Sequence, residues 1–284
     1  MNWRGVLPAI TTPFNEDLTV DHPFLAKHAR WMIESGCTGI VALGSLGEGA
    51  TLEFDEKVAV LQTCVRSLHA PVVAAISALS TAAAVRLAKK AEESGCSGLM
   101  VLPPYVYSTD WREMKAHVAA VLRATTLSCM LYNNPIAYRT DFLPEQIAEL
   151  AAEHENLQAV KESSADVRRI TAIRALLGDR LAILVGVDDA IVEGIAAGAV
   201  GWIAGLVNAL PEESVALFDG AKIYEWFLPL LRLDTVPKFV QLIKLVQQEV
   251  GMGNERVRPP RLPLAGAERD AALELIRAAL ERRP

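Results

Sequence analysis

The stretch ESGCTGI at residues 34–40 returns almost unchanged as ESGCSGL at residues 93–99. Both copies follow a segment with helical periodicity, place a glycine where that helix should end, and open an apolar run typical of a strand. The copies start at residues 34 and 93, an offset of 59 residues, which fits two strand–helix units of roughly 30 residues each. The repeat therefore indicates a chain built from strand–helix units.

Short runs rich in Val, Ile and Leu predict eight strands, and segments with helical periodicity separate them. The predicted strands are 6–12, 39–44, 72–77, 98–103, 128–133, 157–162, 182–187 and 200–204. The predicted helices between them are 23–34, 53–68, 81–93, 110–123, 144–153, 166–177 and 190–197. Eight alternating units favour a closed (β/α)8 TIM barrel over a doubly wound sheet, because continuous apolar strands need a cover of helices.

The barrel, as the catalytic domain, is predicted to occupy residues 1–210. Residues 211–284 are predicted to be helical throughout, with 236–250 and 267–282 as the clearest helices. Because this segment is longer than the eighth unit needs, it is expected to hold the last barrel helix and a C-terminal helical extension.

The composition describes a globular protein of 284 residues with a large core, 51% hydrophobic and 22% charged. A formal net charge of −6 argues against nucleic acid or an anionic membrane surface as a partner. Neither a secretion signal nor an apolar run of about 18 residues is apparent. The scattered cysteines predict reduced, mostly buried thiols in a cytoplasmic protein. The histidines lack ligand spacing, which predicts surface positions and no metal.

Lys161 ends the strand in LQAVKES, residues 157–163, and Tyr132 ends the strand before it. In a barrel of this kind, catalytic groups collect at these strand ends. A lysine held there loses hydration, which favours a neutral, nucleophilic amine. Such an amine attacks a ketone and forms an iminium, an electron sink for changing a bond at the neighbouring carbon. The alternative is a solvated ammonium group or a pair with Glu162.

Tyr132 is the expected acid and base beside that iminium, and a core tyrosine with a satisfied hydroxyl is the structural alternative. The loop GSLGEG at residues 44–49 follows a strand and precedes a helix, so its backbone N–H groups can bind a carboxylate. Taken alone the loop is a weak signal, because it matches neither a Walker loop nor G-x-G-x-x-G.

Together these stretches resemble the dihydrodipicolinate synthase and N-acetylneuraminate lyase family of class I aldolases. The resemblance rests on GVLPAITTPF at 5–14, G-[ST]-x-G-E at 44–48, Y-N-x-P at 132–135, V-K-E at 160–162, and Gly186 with the aspartate pair behind it. It implies a Schiff-base lysine, a 2-oxo acid substrate, no metal or other cofactor, and a homotetramer built as a dimer of dimers.

The resemblance also implies roles for particular residues. Lys161 is expected to form the iminium with the substrate C2 carbonyl, Tyr132 to relay protons, and Ser45 to hold the substrate carboxylate. Gly186 and Ile203 are expected to supply backbone contacts around the iminium. The other residues expected to line the substrate pocket are Gly44, Leu46, Tyr105, Val106 and Tyr138.

Three positions depart from the lysine-biosynthetic members of the family. The loop has Ser45-Leu46 where those synthases usually have two threonines, and residues 105–107 read Tyr-Val-Tyr where they usually show two adjacent tyrosines. Ala137 holds the place of an arginine that receives the second substrate's carboxylate, and Arg139 lies two residues further on. These departures favour the catabolic branch of the family.

The leading hypothesis is a Schiff-base lyase, either an aldolase or a dehydratase/deaminase, acting on a small 2-oxo acid or its cyclic imine. Two catabolic activities fit it: pyrroline-4-hydroxy-2-carboxylate deaminase, and an aldolase or dehydratase of 2-keto-3-deoxy acids. The alternatives are 4-hydroxy-tetrahydrodipicolinate synthase, which condenses pyruvate in lysine biosynthesis, and a catalytically silent paralogue that binds a 2-oxo acid. A phosphate-handling barrel is disfavoured, because residues 188–189 and 206–208 make poor phosphate loops.

Overall fold

A computed structural model describes residues 1–104 and 110–284, and its eight strands form one parallel sheet. The strands are β1 Gly5–Pro8, β2 Ile40–Ala42, β3 Val72–Ile76, β4 Gly98–Val101, β5 Ser128–Asn133, β6 Leu157–Glu162, β7 Ala182–Val185 and β8 Gly201–Ala204. They pair in the order β1-β8-β7-β6-β5-β4-β3-β2. A bridge between Ala9 and Val41, with the Ile10 N–H donating to the Val41 carbonyl at 3.0 Å, joins β1 to β2. The predicted (β/α)8 barrel is confirmed.

Helices alternate with the strands and cover the barrel. They are α1 His22–Glu34, α2 Phe54–Ser67, α3 Thr81–Glu93, α4 Trp111–Leu122, α5 Pro135–Tyr138, α6 Pro144–Glu153, α7 Arg168–Leu177, α8 Ile191–Ala196, α9 Pro211–Phe218, α10 Tyr224–Leu231, α11 Phe239–Glu249 and α12 Gly266–Leu280. In the two copies of the repeat, Gly36 and Gly95 follow α1 and α3 with φ of 100° and 88°. Such a left-handed residue ends a helix at little cost only when it is glycine.

The first strand is shorter than predicted, because the regular ladder of β1 with β8 ends at Pro8 and only an isolated bridge at Ala9 continues it toward residue 12. The residues beyond it are fixed by side chains instead. The Thr11 N–H donates to Asn208 Oδ1 at 3.0 Å, and the Thr12 hydroxyl donates to the Gly47 carbonyl at 2.6 Å. The first bond ties the segment after β1 to the turn after β8, and the second ties it to the loop after β2.

The prediction that residues 211–284 are helical throughout is wrong. After α11 the chain runs without a helix from residue 250 to 265, where Pro259 and Pro260 exclude regular helical hydrogen bonding. This segment brings the Arg258 guanidinium to Glu56, with N–O distances of 2.7 and 2.9 Å. α9 packs against β1, while α10 and α11 both pack against α12.

Burial confirms one expectation and corrects another. All four cysteines, Cys37, Cys64, Cys96 and Cys129, are buried free thiols. The surface prediction is wrong for His28 and His117, which lie on the inner faces of amphipathic helices and are 0% and 6% exposed. His28 Nε2 lies 2.8 Å from the Asn208 carbonyl, and burial lowers the pKa of His28 to about 4. None of the helices within 1–104 and 110–284 is long and apolar enough to cross a membrane.

Candidate active site

Lys161 lies near the C-terminal end of β6 and points into the barrel. It is in register with Tyr132 of β5 on one side and Leu184 of β7 on the other. Its Nζ lies 4.1 Å from the centroid of the Tyr132 ring, and the residue is only 7% exposed. The alternative of a solvated strand-end lysine is therefore wrong, and the amine has an aromatic face beside it.

Glu162 has partners of its own, so the alternative pair with Lys161 has no support. Successive residues of a strand point to opposite faces, which directs Glu162 away from Lys161. Its carboxylate accepts from Asn133 Nδ2 at 3.1 Å and from the Ser164 N–H at 2.7 Å. Burial raises the pKa of Glu162, and these two hydrogen bonds oppose that shift.

Gly186, just beyond β7, provides the space that the Lys161 side chain fills. A Cβ atom at residue 186 would lie 2.5 Å from Lys161 Cε, 2.7 Å from Lys161 Cγ and 2.0 Å from Ser163 Oγ. Real Cβ atoms do not approach other atoms so closely. Only a residue without a side chain at position 186 therefore leaves room for Lys161 in its observed position.

Gly186→Ala is expected to slow covalent capture of pyruvate by about 10²-fold, because a displacement of about 1 Å at a reacting group has that effect. The measurement is the rate at which borohydride traps a pyruvate adduct on the folded variant. An unchanged rate would show that the lysine side chain can shift without loss.

Tyr132 and Tyr138 form the wall next to Lys161. Their rings meet edge to face, with centroids 5.7 Å apart and an interplanar angle of 88°. The Tyr132 hydroxyl accepts a hydrogen bond from Asn134 Nδ2 at 3.0 Å. The Tyr138 hydroxyl forms a short hydrogen bond with Ser45 Oγ, which joins this wall to the loop after β2. The structure thus brings Lys161, Tyr132, Tyr138 and Ser45 together.

The loop after β2 has a tightly determined backbone. Leu43 and Glu48 both have positive φ, 68° and 53°, which non-glycine residues rarely adopt. A Cβ at Gly49 would lie 2.1 Å from the Leu43 carbonyl oxygen. Glu48 is fully buried and pairs with Lys244 of α11 at 2.6 Å. The C-terminal extension therefore holds the loop that carries Ser45.

The remaining predicted pocket residues are Gly44, Leu46, Ile203, Tyr105 and Val106. Leu46 and Ile203 are buried, 3% and 1% exposed. A Cβ added at Gly44 would meet only Met100 Cε, at 3.8 Å. Ala137, which holds the place of the expected arginine, and Arg139 are both exposed. Tyr105 and Val106, with Tyr107, lie outside the described residues.

Three charged residues close to the site were missed by sequence reasoning. Lys244 and Asp234 lie in the C-terminal segment, which carried no motif, and only the structure brings them to the barrel mouth. Asp188 was noted as part of a motif but given no role. It accepts from Trp202 Nε1 at 2.9 Å and from the Leu206 N–H at 2.8 Å. Burial raises its pKa to about 6, against the effect of these bonds.

Comparison with known proteins agrees with this geometry. The model of the dihydrodipicolinate synthetase family matches residues 2–279. The chain belongs to this family. Family members are class I aldolases and lyases with Schiff-base chemistry, and the chain is an enzyme of this class: a lysine Schiff-base lyase.

Similar sequences in this family include 4-hydroxy-tetrahydrodipicolinate synthases. The protein of that name from Agrobacterium fabrum is 32% identical over 96% of this chain and 98% of its own length. The one from Clostridium perfringens is 34% identical over 94% of each chain. These names support the synthase alternative better than the leading hypothesis, and they do not confirm the expected closeness to the catabolic branch.

Solved structures with the same fold include a dihydrodipicolinate synthase from Bacillus anthracis. It superposes with a TM-score of 0.92 at 27% identity, covering 98% of this chain and 99% of its own. A putative dihydrodipicolinate synthetase from Pseudomonas aeruginosa gives a TM-score of 0.91 at 29% identity, covering 98% and 100%.

Proposed function

We propose that Lys161 forms a Schiff base with a small 2-oxo acid, pyruvate being the simplest, and that Tyr132 moves the protons. The observation that carries the proposal is the position of the Lys161 side chain. Its amine lies 4.1 Å from the Tyr132 ring centroid, and its Cγ and Cε pack against Gly186. An amine held in this way is positioned to attack the carbonyl of a bound 2-oxo acid.

The first step follows ordinary imine chemistry. The neutral Lys161 amine attacks the C2 carbonyl, and the resulting carbinolamine loses water to give an iminium. Both proton transfers need a nearby acid and base, for which the Tyr132 hydroxyl is the candidate. Removal of a C3 proton then gives an enamine, a carbon nucleophile. The substrate carboxylate is assigned to Ser45 and the amides of residues 45–46, since oriented N–H groups bind anions.

Two observations bear on the second step, and they favour different substrates. The relatives named above are 4-hydroxy-tetrahydrodipicolinate synthases, which supports condensation of pyruvate with an amino acid aldehyde. The pocket supports a different substrate, because Ala137 holds the place of the expected arginine and the apolar Leu46 is buried beside Ser45. No carboxylate-binding arginine for a second substrate is thus found in this segment, and we propose lysis or dehydration of a single small 2-oxo acid as the main activity.

A substrate panel separates these activities. Pyruvate with aspartate semialdehyde tests the synthase, and pyrroline-4-hydroxy-2-carboxylate and 2-keto-3-deoxygluconate test the catabolic lyases. Release of water, ammonia or pyruvate from the last two supports the proposal. Faster consumption of pyruvate with the semialdehyde makes the protein a synthase. Trapping of pyruvate with no turnover of any substrate identifies a silent 2-oxo-acid-binding paralogue.

Tyr132→Phe is expected to lower kcat by roughly 10²–10⁴-fold, the usual contribution of a general acid–base, with a smaller change in KM. The variant keeps the ring that lies beside Lys161 and loses only the hydroxyl. A second measurement is exchange of the pyruvate methyl protons in D2O, which should slow in parallel. Wild-type kcat in this variant would remove Tyr132 from the proton transfer.

The family resemblance also implies a homotetramer, a dimer of dimers, as the functional form. Light scattering of the purified protein tests this proposal. The expected mass is four times that of the 30.8 kDa chain.

A further inference from the structure

The short turn after α10 places a second acidic side chain at the barrel mouth. Asp234 lies at the end of the turn 232–234, and its carboxyl group lies against Gly205, directly after β8. A Cβ at Gly205 would be 2.0 Å from Asp234 Oδ1 and 2.4 Å from Cγ. Asp234 therefore occupies the space left by a missing side chain at the C-terminal end of the barrel, the end where Lys161 lies.

Asp188 accepts a hydrogen bond from the backbone of the same glycine. The Gly205 N–H is 3.1 Å from both Asp188 oxygens, and Trp202 and Leu206 donate further hydrogen bonds to this carboxylate. Several N–H donors stabilise a carboxylate in its charged form. Both acids thus lie next to one residue, and the hydrogen bonds favour the charged form of Asp188.

Asp234 is the member of the pair with the higher pKa. Burial raises its pKa well above the usual range, and the nearby Asp188 charge raises it further. The nearby Asp189 charge also raises the pKa of Asp234, whereas the Lys161 charge lowers it. Two neighbouring carboxyl groups do not both ionise readily, so a neutral acid beside a charged one is the expected state.

A separate observation indicates that a polar ligand atom binds beside Lys161. The hydroxyl of Ser163 is buried and has no hydrogen-bond partner within residues 1–104 and 110–284. It lies beside the Lys161 side chain, since a Cβ at Gly186 would touch both. Buried hydroxyls are nearly always paired, and an unpaired one at a reactive lysine points to a polar ligand atom at this place.

We propose that Asp234 is a further catalytic residue, the acid that protonates a hydroxyl group leaving from C4 of the substrate. The proposal rests on the Schiff base at Lys161. In the enamine, the nitrogen lone pair re-forms the C=N bond, the C2–C3 electrons form a C3–C4 double bond, and the C4–O bond breaks. The oxygen takes the Asp234 proton and departs as water, which leaves an unsaturated iminium and the Asp234 carboxylate. No oxidant or reductant is needed.

The substrate class follows from this step. It is a 2-oxo acid, or its cyclic imine, with a hydroxyl group on C4, and pyruvate lacks that carbon. Tyr132 lies in β5 and Asp234 beyond β8, so the two proton transfers would use different walls of the mouth. Loss of Asp234 should therefore spare the first step and stop the second.

Borohydride trapping with 2-keto-3-deoxygluconate and with pyrroline-4-hydroxy-2-carboxylate tests the proposal in the Asp234→Asn variant, which keeps the side-chain shape. In the wild type, at least one probe should leave an adduct lighter than the intact one by one water. In Asp234→Asn, the intact adduct should accumulate, and the dehydrated adduct should form roughly 10²–10⁴-fold more slowly. Pyruvate should be trapped by both proteins at rates within a factor of about two, as expected when only an acid for the second step is lost.

The control variant is Asp179→Asn, whose side chain is fully solvent-exposed, and it should behave as the wild type. Dehydration by Asp234→Asn at the wild-type rate would overturn the proposal. So would a parallel loss of pyruvate trapping, which would mean a structural role, and so would intact adducts alone in the wild type. A wild type that traps no pyruvate contradicts the Schiff base itself, which separates failure of the proposed function from failure of this inference.

Discussion

Lys161→Met is expected to abolish turnover of the substrate, with kcat/KM falling roughly 10⁴-fold or more, the scale of loss when a covalent nucleophile is removed. Methionine retains an unbranched, apolar side chain that fits the space between the Tyr132 ring and Gly186. The fold should therefore survive, and no other amine in this position can form the iminium. Circular dichroism and the thermal midpoint check the fold, and steady-state kinetics on the best substrate measure the loss.

Lys222→Met provides the matched control, because this lysine is exposed on the segment before α10. Its kinetic constants should equal those of the wild type. Activity of Lys161→Met within tenfold of the wild type would show that the reaction proceeds without a lysine Schiff base.

Lys244→Met is expected to cause the largest loss of stability, about 3–5 kcal/mol, which is the usual effect of breaking a buried ion pair. Lys244 Nζ donates to Glu48 Oε1 at 2.6 Å, to the Thr12 carbonyl at 2.9 Å and to the Arg256 carbonyl at 2.7 Å. The two side chains are 2% and 0% exposed. The substitution leaves the buried Glu48 carboxylate with only the more distant Arg261 guanidinium as its cation, 3.9 Å away, and two carbonyls lose a donor.

Urea unfolding measures this loss, and two further variants interpret it. The double variant Glu48→Gln/Lys244→Met should recover at least half of it, since the glutamine is neutral and still accepts the Arg258 N–H seen at 3.0 Å. Lys238→Met should change stability by less than about 0.5 kcal/mol, because its pair with Glu268 is half exposed. Equal stability of Lys244→Met and Lys238→Met would contradict a stabilising role for the buried pair.

The eight strands, the barrel helices and the pair of Lys161 and Tyr132 could be predicted from the sequence, because each depends on local patterns. Apolar runs and helical periodicity set the eight units, and the repeat at residues 34–40 and 93–99 set their spacing. Lys161 and Tyr132 occupy neighbouring strands near matching ends, so a parallel sheet brings them together once the strand order is known.

The partners supplied by the C-terminal segment could not be predicted in the same way. Lys244 reaches Glu48 across 196 residues, and Arg258 reaches it across 210. Nothing in the local pattern of residues 232–261 marks such contacts, because an apolar helix face and a proline pair fit many packings. Asp234 was missed for the same reason, because its contact with Gly205 depends on how the turn at 232–234 packs against the end of β8.

The Ser45 and Tyr138 contact shows a third kind of limit. The loop after β2 and the segment after β5 were both expected in the pocket, but their mutual contact depends on the short helix α5, which was not predicted. Four residues that start with proline give too little periodicity to recognise a helix. The choice of substrate depends on such contacts, which is why the family could be recognised from the sequence more readily than the reaction.

Borohydride reduction of the wild-type enzyme with pyruvate, followed by proteolysis and mass spectrometry, tests the assignment of the Schiff base most directly. The reduced adduct should appear on the peptide that contains Lys161, with Lys244 and the surface lysines unmodified, and it should be absent when pyruvate or borohydride is omitted. An adduct on another lysine, or none under conditions that saturate the site, would contradict the central role of Lys161.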